Sequence, residues 1–361
     1  MLPGTTPHQR RFDFLQLRQA PARVQGGWVR REEAIMGTAI SVELWCEDAR
    51  AGAAATVAVM EEMHRIDRLM SPHKPASELS RINRDASGKP VPLSEEMLRL
   101  LQRALAYSRL SGGAFDISFA AVGALYDYRT GTLPSAAQLA TARQAVGWQH
   151  LQLDSRAHTL RFGRPGMRID LGGFAKGHAV DNAVAILKRR GIRHAYIAAG
   201  GDSRVIGCRV DGCHGDRQGV SRPWTIAIRD PRSADGVVAV LPLEDTAVST
   251  SGDYERCFEQ GGLRHHHLID PATGDSARRV RSVTVLGPDG LSTEALGKAV
   301  FVLGASAGLA LLAEVPGMDA VVVDADGSLH VSPGLLQAQD AACSDVRSDV
   351  RTQAHPQAQA A

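Results

Sequence analysis

Apolar and polar positions along the chain switch between a two-residue and a helical spacing, with no repeated strand-helix-strand period. The run Ala34 to Trp45 (AIMGTAISVELW) reads as a strand opened by Met-Gly-Thr, and Ala51 to Met70 has the spacing of an amphipathic helix. Ser94 caps a second helix that stops at Gly112-Gly113. Ser135, with Gln138 three residues on, forms the capping box of a third. Leu151 to Ile169 alternates across turn residues like a hairpin and runs into an Asp-Leu-Gly-Gly corner. The second half is richer in strands: HAYIAAGG, WTIAIRDP, VVAVLPLE, RSVTVLG and a hairpin through Asp326-Gly327, with helical patterns at Thr293 to Gly304 and Ala307 to Val315. This mixture predicts an α+β fold with antiparallel sheets and not a doubly wound one.

The two ends lack such periodicity. Residues 1–32 contain a twin arginine, Arg10-Arg11, but charges and Pro21 interrupt the residues after it, so the segment reads as a disordered leader without an apolar signal core. Residues 336–361 read as a solvated, disordered tail, which leaves a folded unit over residues 33–335. No apolar run reaches the length of a membrane span. The missing signal core favours the cytoplasm; a start codon assigned to the wrong place leaves a periplasmic or membrane-anchored protein equally consistent.

Composition narrows this picture only a little. A chain of 361 residues, 44% of them hydrophobic, is long enough for one large domain or two ordinary ones. Its formal charge of +2 provides no global field that would draw it to nucleic acid or an anionic membrane. The five cysteines are odd in number and irregularly spaced, which argues against a disulfide framework and for a reducing compartment. Cys208, Cys213 and His214 in CRVDGCH have the wrong spacing for a C-x-x-C-H haem attachment, and no second ligand pair comes later, so the stretch reads as a surface insertion before Trp224.

Candidate chemistry concentrates at the glycine corners. In DLGGFAKGHAVD, Gly172 and Gly173 let the backbone approach a ligand, and the next helix presents amide groups and the positive end of its dipole, a seat for phosphate. Lys176 adds a charge one turn in, and Asp170 has an acceptor for a ribose hydroxyl or a ring N–H. The plainer alternative is a strand-to-helix turn with a solvated lysine. A second corner, AAGGDSRVIG, ends in Asp202; a third, STSGDYERCF, places Ser249, Ser251, Gly252 and Asp253 in a polar turn; and HHHLIDPATG sets His267, Asp270 and Thr273 around a proline. Each alone is ordinary turn chemistry.

Together and in this order, with IMGTAISVEL, MSPHKPASELSRIN and GGAFDIS ahead of them, these motifs resemble the ApbE-type FAD:protein FMN transferases over roughly residues 35 to 330. The resemblance implies a compact α+β fold with antiparallel sheets and flanking helices, related to the tunnelling fold, holding one FAD in a cleft. It implies transfer of FMN from FAD to a threonine or serine hydroxyl of an acceptor protein, with release of AMP and with Mg2+ at the pyrophosphate. By position, Met36, Ala114, Phe115, Asp116, Asp170, Lys176 and Leu268 correspond to FAD contacts, and His73 stands where an aromatic residue is usual. His267 corresponds to the proposed base, within a run of three histidines that leaves the assignment open, and by its position in the sequence Asp270 is a candidate to orient it.

The metal positions depart from the pattern. The Gly173 carbonyl is kept, but in LSTEALGKAVFVLG Glu294 replaces the usual aspartate and Lys298 the usual threonine or serine. Glutamate retains a hard oxygen ligand; an ammonium group has no lone pair to give and repels a cation. Three arrangements are open: Lys298 turns inward and pairs with Glu294 where the metal would lie, the helix shifts so that Gly173, Glu294 and water hold the metal while Lys298 points to solvent, or the two form a simple intrahelical ion pair near a disused site. Accordingly the expected activity has two alternatives, a non-catalytic FAD-binding relative serving as carrier or regulator, and an FAD pyrophosphatase in which water replaces the acceptor.

Overall fold

The computed structural model describes residues 26–211, 220–233 and 235–336. Eight of its strands form one sheet whose order matches their order in the chain: β1 (Gly27–Ile35), β2 (Thr38–Cys46), β3 (Ala195–Ala199), β4 (Asp202–Ile206), β5 (Ala247–Gly252), β6 (Val280–Gly287), β7 (Asp319–Asp324) and β8 (Leu329–Val331). Every neighbouring pair is antiparallel, including β2 and β3, where Ile40 faces Ala199 across a long insertion. The fold is α+β.

The start of the sheet departs from the sequence expectation. AIMGTAISVELW is not one strand: Met36 and Gly37 form a two-residue turn with φ of +54° and +71°, and β1 pairs back along β2 from Ile35–Thr38 to Gly27–Cys46. Two left-handed residues match the twist of a tight hairpin. Residues 27–32, expected to be part of a disordered leader, therefore belong to the sheet. They lack apolar alternation because β1 is an outer strand, on which Arg30 pairs with Glu32 and Arg31 with Glu33; charged side chains suit an unpaired sheet edge. The remaining leader, most of the tail, Cys213 and His214 lie outside the described residues.

Helices α1 (Ala49–Met70), α2 (Glu95–Leu110), α3 (Ala175–Arg189), α4 (Gly290–Leu303) and α5 (Ala305–Ala313) contribute to a helical layer against one face. α1 buries Ala55, Val59, Met63, Ile66 and Met70, the three-to-four spacing that marked it in the sequence, against alternate residues Ile40, Val42 and Leu44 of β2. Local chemistry sets the ends of several helices. Ser94 caps α2 by accepting from Met97 N, and Ser135 and Gln138 form the anticipated capping box of the short helix Ala136–Arg143. The opposite sheet face holds a smaller cluster, in which Val205, Val248 and Leu286 pack with Trp224 and Leu243 of the hairpin Trp224–Arg229 and Val237–Leu243.

A close crossing of α3 and α4 positions the site. A Cβ on Gly177 would collide with the backbone of Gly290, so only glycine permits this approach. Asp181 of α3 caps α4 from outside, accepting from Gly290 N at 2.8 Å and Leu291 N at 3.0 Å while holding Arg204 at 2.7 Å. The first turn of α3 is thereby locked beside the first turns of α4.

Candidate active site

Lys176, in that first turn, reaches across to the sheet. Its Nζ lies 2.9 Å from Asp202 Oδ2, donates to Glu294 Oε1 of α4, and stands 3.3 Å from the Gly172 carbonyl. Glu294 is fully buried and its second oxygen accepts from Gly177 N at 2.8 Å. Asp202 opens β4 directly after the Gly200-Gly201 corner, and its other oxygen accepts from Ser249 Oγ at 2.5 Å. Lys298 turns inward: its side chain is 18% exposed, its Nζ is 4.0 Å from Glu294 Oε1, and its stem lies against Gly173. Two ammonium groups and two carboxylates thus form one cluster beneath the DLGG corner.

Burial and charge pairing oppose each other in these four groups, and charge pairing prevails at Lys176 and Asp202 while burial prevails at Glu294 and Lys298. Burial opposes the charge on Lys176, but the carboxylates of Asp202 and Glu294 hold it above the ordinary lysine value. Burial likewise opposes ionisation of Asp202, and Lys176 and then Lys298 hold it below the usual carboxylate range. Glu294 is raised, first by burial and then by the neighbouring charge of Asp202, whereas burial lowers Lys298 against the pull of both acids.

The AFDIS segment closes one side of the corner. Ile117 O accepts from Asp170 N at 2.9 Å, and the buried Phe115 ring meets Phe174 edge-on at 5.8 Å and lies beside Gly173. Ala114 is half-buried beside it. Asp116 is committed within the chain, accepting from Ser118 N at 2.8 Å, from Ser118 Oγ at 2.7 Å and from Trp148 N at 2.8 Å; burial still leaves it raised. Asp170 accepts from Gly172 N at 2.5 Å and shapes the corner itself. Phe174, the N-cap of α3, makes no side-chain cap bond, but the first turn is largely satisfied within the chain: Phe174 N and Ala175 N donate to Leu171 O at 3.0 and 2.7 Å, and Gly177 N donates to Glu294 Oε2.

The three consecutive histidines separate by environment. His265 stacks on Phe258 at 5.4 Å, and His266 is buried edge-on to Phe301, where burial lowers it to about 4. His267 donates its backbone N–H to Arg256 O at 3.2 Å, and its ring Nδ1 is enclosed without a partner. Burial, reinforced by Lys298 and Arg256, lowers the His267 ring to about 3, so at neutral pH it is an uncharged imidazole beside the lysine cluster. Asp270 does not orient it. Its Oδ1 accepts from Ala272 N at 2.8 Å and its carbonyl from Gly274 N at 2.7 Å, the Asp-Pro turn chemistry of an ordinary corner. Leu268 is buried and its carbonyl accepts from Ala277 N.

The Met36-Gly37 turn lies by Arg256, since a Cβ on Gly37 would be 3.5 Å from its Nη2. His73 sits in an exposed loop, where its N–H donates to Ser71 Oγ, and no described contact joins it to the lysine cluster. Sequence reasoning singled out Asp202 and Ser251 without giving them a site role. Ser251 Oγ is buried without a partner, and Gly297 of α4 packs over it and Ser249, so that an added Cβ would lie 3.8 Å from either hydroxyl. An acidic residue directly after a Gly-Gly corner was the available signal for Asp202; its partners come from sequence-distant helices.

This geometry accompanies a family match over residues 36–322, to the model described as the ApbE family. The chain belongs to the ApbE family. It is 31% identical over 322 residues to the FAD:protein FMN transferase of Treponema pallidum, covering 85% of this chain and 87% of that one. It is 32% identical over 256 residues to the FAD:protein FMN transferase of Vibrio cholerae, covering 69% and 73%. The crystal structure of the ApbE protein from Thermotoga maritima superposes with a TM-score of 0.78 at 29% identity, covering 86% of this chain and 99% of that one.

Within this ApbE chain the residues at the expected metal positions do not fit a divalent cation as arranged. Gly173, Glu294 and Lys298 are brought together, but both Glu294 oxygens already accept hydrogen bonds. Among the described residues, no three His, Cys, Asp or Glu side chains group to hold a metal. A divalent ion on Glu294 would stand against two ammonium groups; a unit pair at 4 Å is worth about 4 kcal/mol at an effective dielectric of about 20, and a divalent charge doubles the repulsion.

Proposed function

We propose that this ApbE-family chain is an FAD:protein FMN transferase that moves FMN from FAD to a threonine or serine hydroxyl of an acceptor protein and releases AMP. The observation that carries this reading is the lysine-carboxylate cluster beneath the glycine corner, with a neutral imidazole beside it. In the reaction the acceptor oxygen forms a bond to the phosphorus that bears the riboflavin moiety. The bridging phosphorus–oxygen bond of the diphosphate breaks, and AMP leaves with that oxygen. Lys298 faces the charge that builds on the departing phosphate, beside a Lys176 ammonium held by Asp202, Glu294 and the Gly172 carbonyl, and His267 takes the hydroxyl proton. Phe115 and the Met36 turn bound the nucleotide, while the Asp170 corner fixes the backbone beneath it.

The test incubates the full chain with FAD and a threonine-bearing acceptor, with and without magnesium, and tracks covalent flavin fluorescence on the acceptor together with AMP. Labelled acceptor and stoichiometric AMP are expected. Free FMN with AMP would instead identify a pyrophosphatase, and unchanged bound FAD a flavin carrier. Among the described residues, no helix is long and apolar enough to cross a membrane.

A further inference from the structure

We propose that Lys298 is a built-in counter-charge for the FAD diphosphate, standing where a divalent cation would otherwise be required; the inference rests on the reading that this site takes FAD. Lys176 alone faces two buried carboxylates, so with a neutral residue at position 298 the cluster would carry one net negative charge and would repel a diphosphate. The ammonium of Lys298, on a covalent stem beside Gly173 and 4.0 Å from Glu294 Oε1, cancels that charge within the chain itself.

Two features hold Lys298 to this task. Its stem packs along the Gly173 backbone, which directs the ammonium inward. Glu294 is spent on Lys176 and Gly177 N, so Lys298 is not locked into a short ion pair and remains available to an anion. An ammonium, unlike a metal, needs no ligand shell from the protein.

The test titrates the full chain with FAD, by calorimetry or flavin fluorescence quenching, in chelator and again in excess magnesium. Wild-type affinity is expected to agree within about twofold between the two conditions. Lys298→Met and Lys298→Thr are each expected to lose roughly tenfold to a hundredfold in chelator, the effect of removing a charged hydrogen-bond donor. Magnesium is expected to restore Lys298→Thr, whose hydroxyl supplies an oxygen, and not Lys298→Met. Thermal unfolding of both variants verifies that they fold, and Lys298→Arg, which keeps the charge, is expected to bind in chelator. Loss of wild-type binding in chelator with recovery in magnesium overturns the inference, as does undiminished binding by Lys298→Met or failure of magnesium to restore Lys298→Thr. Absence of wild-type FAD binding under both conditions overturns the functional reading and this inference with it.

Discussion

Replacing Lys176 by methionine asks whether one buried ammonium holds two carboxylates together. The stem is kept, while Asp202 Oδ2 and Glu294 Oε1 lose their shared partner. Breaking a buried ion pair from one side costs about 3–5 kcal/mol, because the remaining charge is uncompensated. Lys298 and Ser249 stay near the two acids, which sets the expectation at the lower end, about 3 kcal/mol. Because unfolding entropy grows by about 2.1 cal/mol/K per residue, a loss of that size lowers Tm by roughly 5 °C in a folded unit this large. The pH dependence gives a second readout. Glu294 is already raised with Lys176 in place; without Lys176 it rises further and Asp202 loses its main source of depression, so the folded state holds more proton. Such a raised group favours folding below its unfolded value, about pH 4, and loses that contribution as pH rises through its folded value. The wild-type Asp202 has the opposite sign: held low by Lys176 against burial, it stabilises above the ordinary carboxylate range and loses this as pH falls. The gap between wild type and Lys176→Met is therefore narrow near pH 4 and widens toward about pH 7. Guanidinium unfolding across this range measures it. A loss under about 1 kcal/mol at neutral pH, or a gap independent of pH, refutes the electrostatic account.

Three further expectations rest on the geometry. His267→Asn should lower acceptor labelling by about 10²–10⁴-fold while FAD affinity stays the same, and the wild-type rate should show no loss near pH 6, because the free ring titrates at about 3; a midpoint near the ordinary histidine value would contradict this. Gly177→Ala should destabilise by about 1–3 kcal/mol in denaturant unfolding, since its methyl meets the Gly290 backbone where α3 and α4 cross, and a neutral result would show that the helices separate freely. Met36→Gly removes a left-handed side-chain residue at φ +54° and should stabilise by about 1 kcal/mol while weakening FAD binding, so a destabilised variant would mean that the Met36 side chain packs more than it strains.

Much of this protein was legible from local chemistry. Ser94 and Ser135 marked helix starts because a cap involves only a few successive residues, and the spacing of α1 revealed its buried face because that face repeats along one element. The glycine corners and Lys176 were visible as motifs, while Glu294 and Lys298 stood out only against the pattern of the family the chain resembles. The outer strand β1 was not, since its charged residues need no apolar alternation when one edge has no neighbour. Tertiary structure alone decided which charges meet. Asp202, Glu294 and Lys176 come from distant parts of the chain: the Gly177–Gly290 crossing brings the helices of Lys176 and Glu294 together, and the sheet beneath them supplies Asp202. The same holds for the histidine run, where three identical side chains differ only in their surroundings: one stacked, one buried against Phe301, and one facing the lysines. Asp270 shows the converse, a residue whose own turn satisfies its carboxylate before any partner across the fold can claim it. Sequence determined the kinds of groups available, because propensity, capping and turns act over a few residues; the fold decided their pairing, because electrostatics and packing act through space.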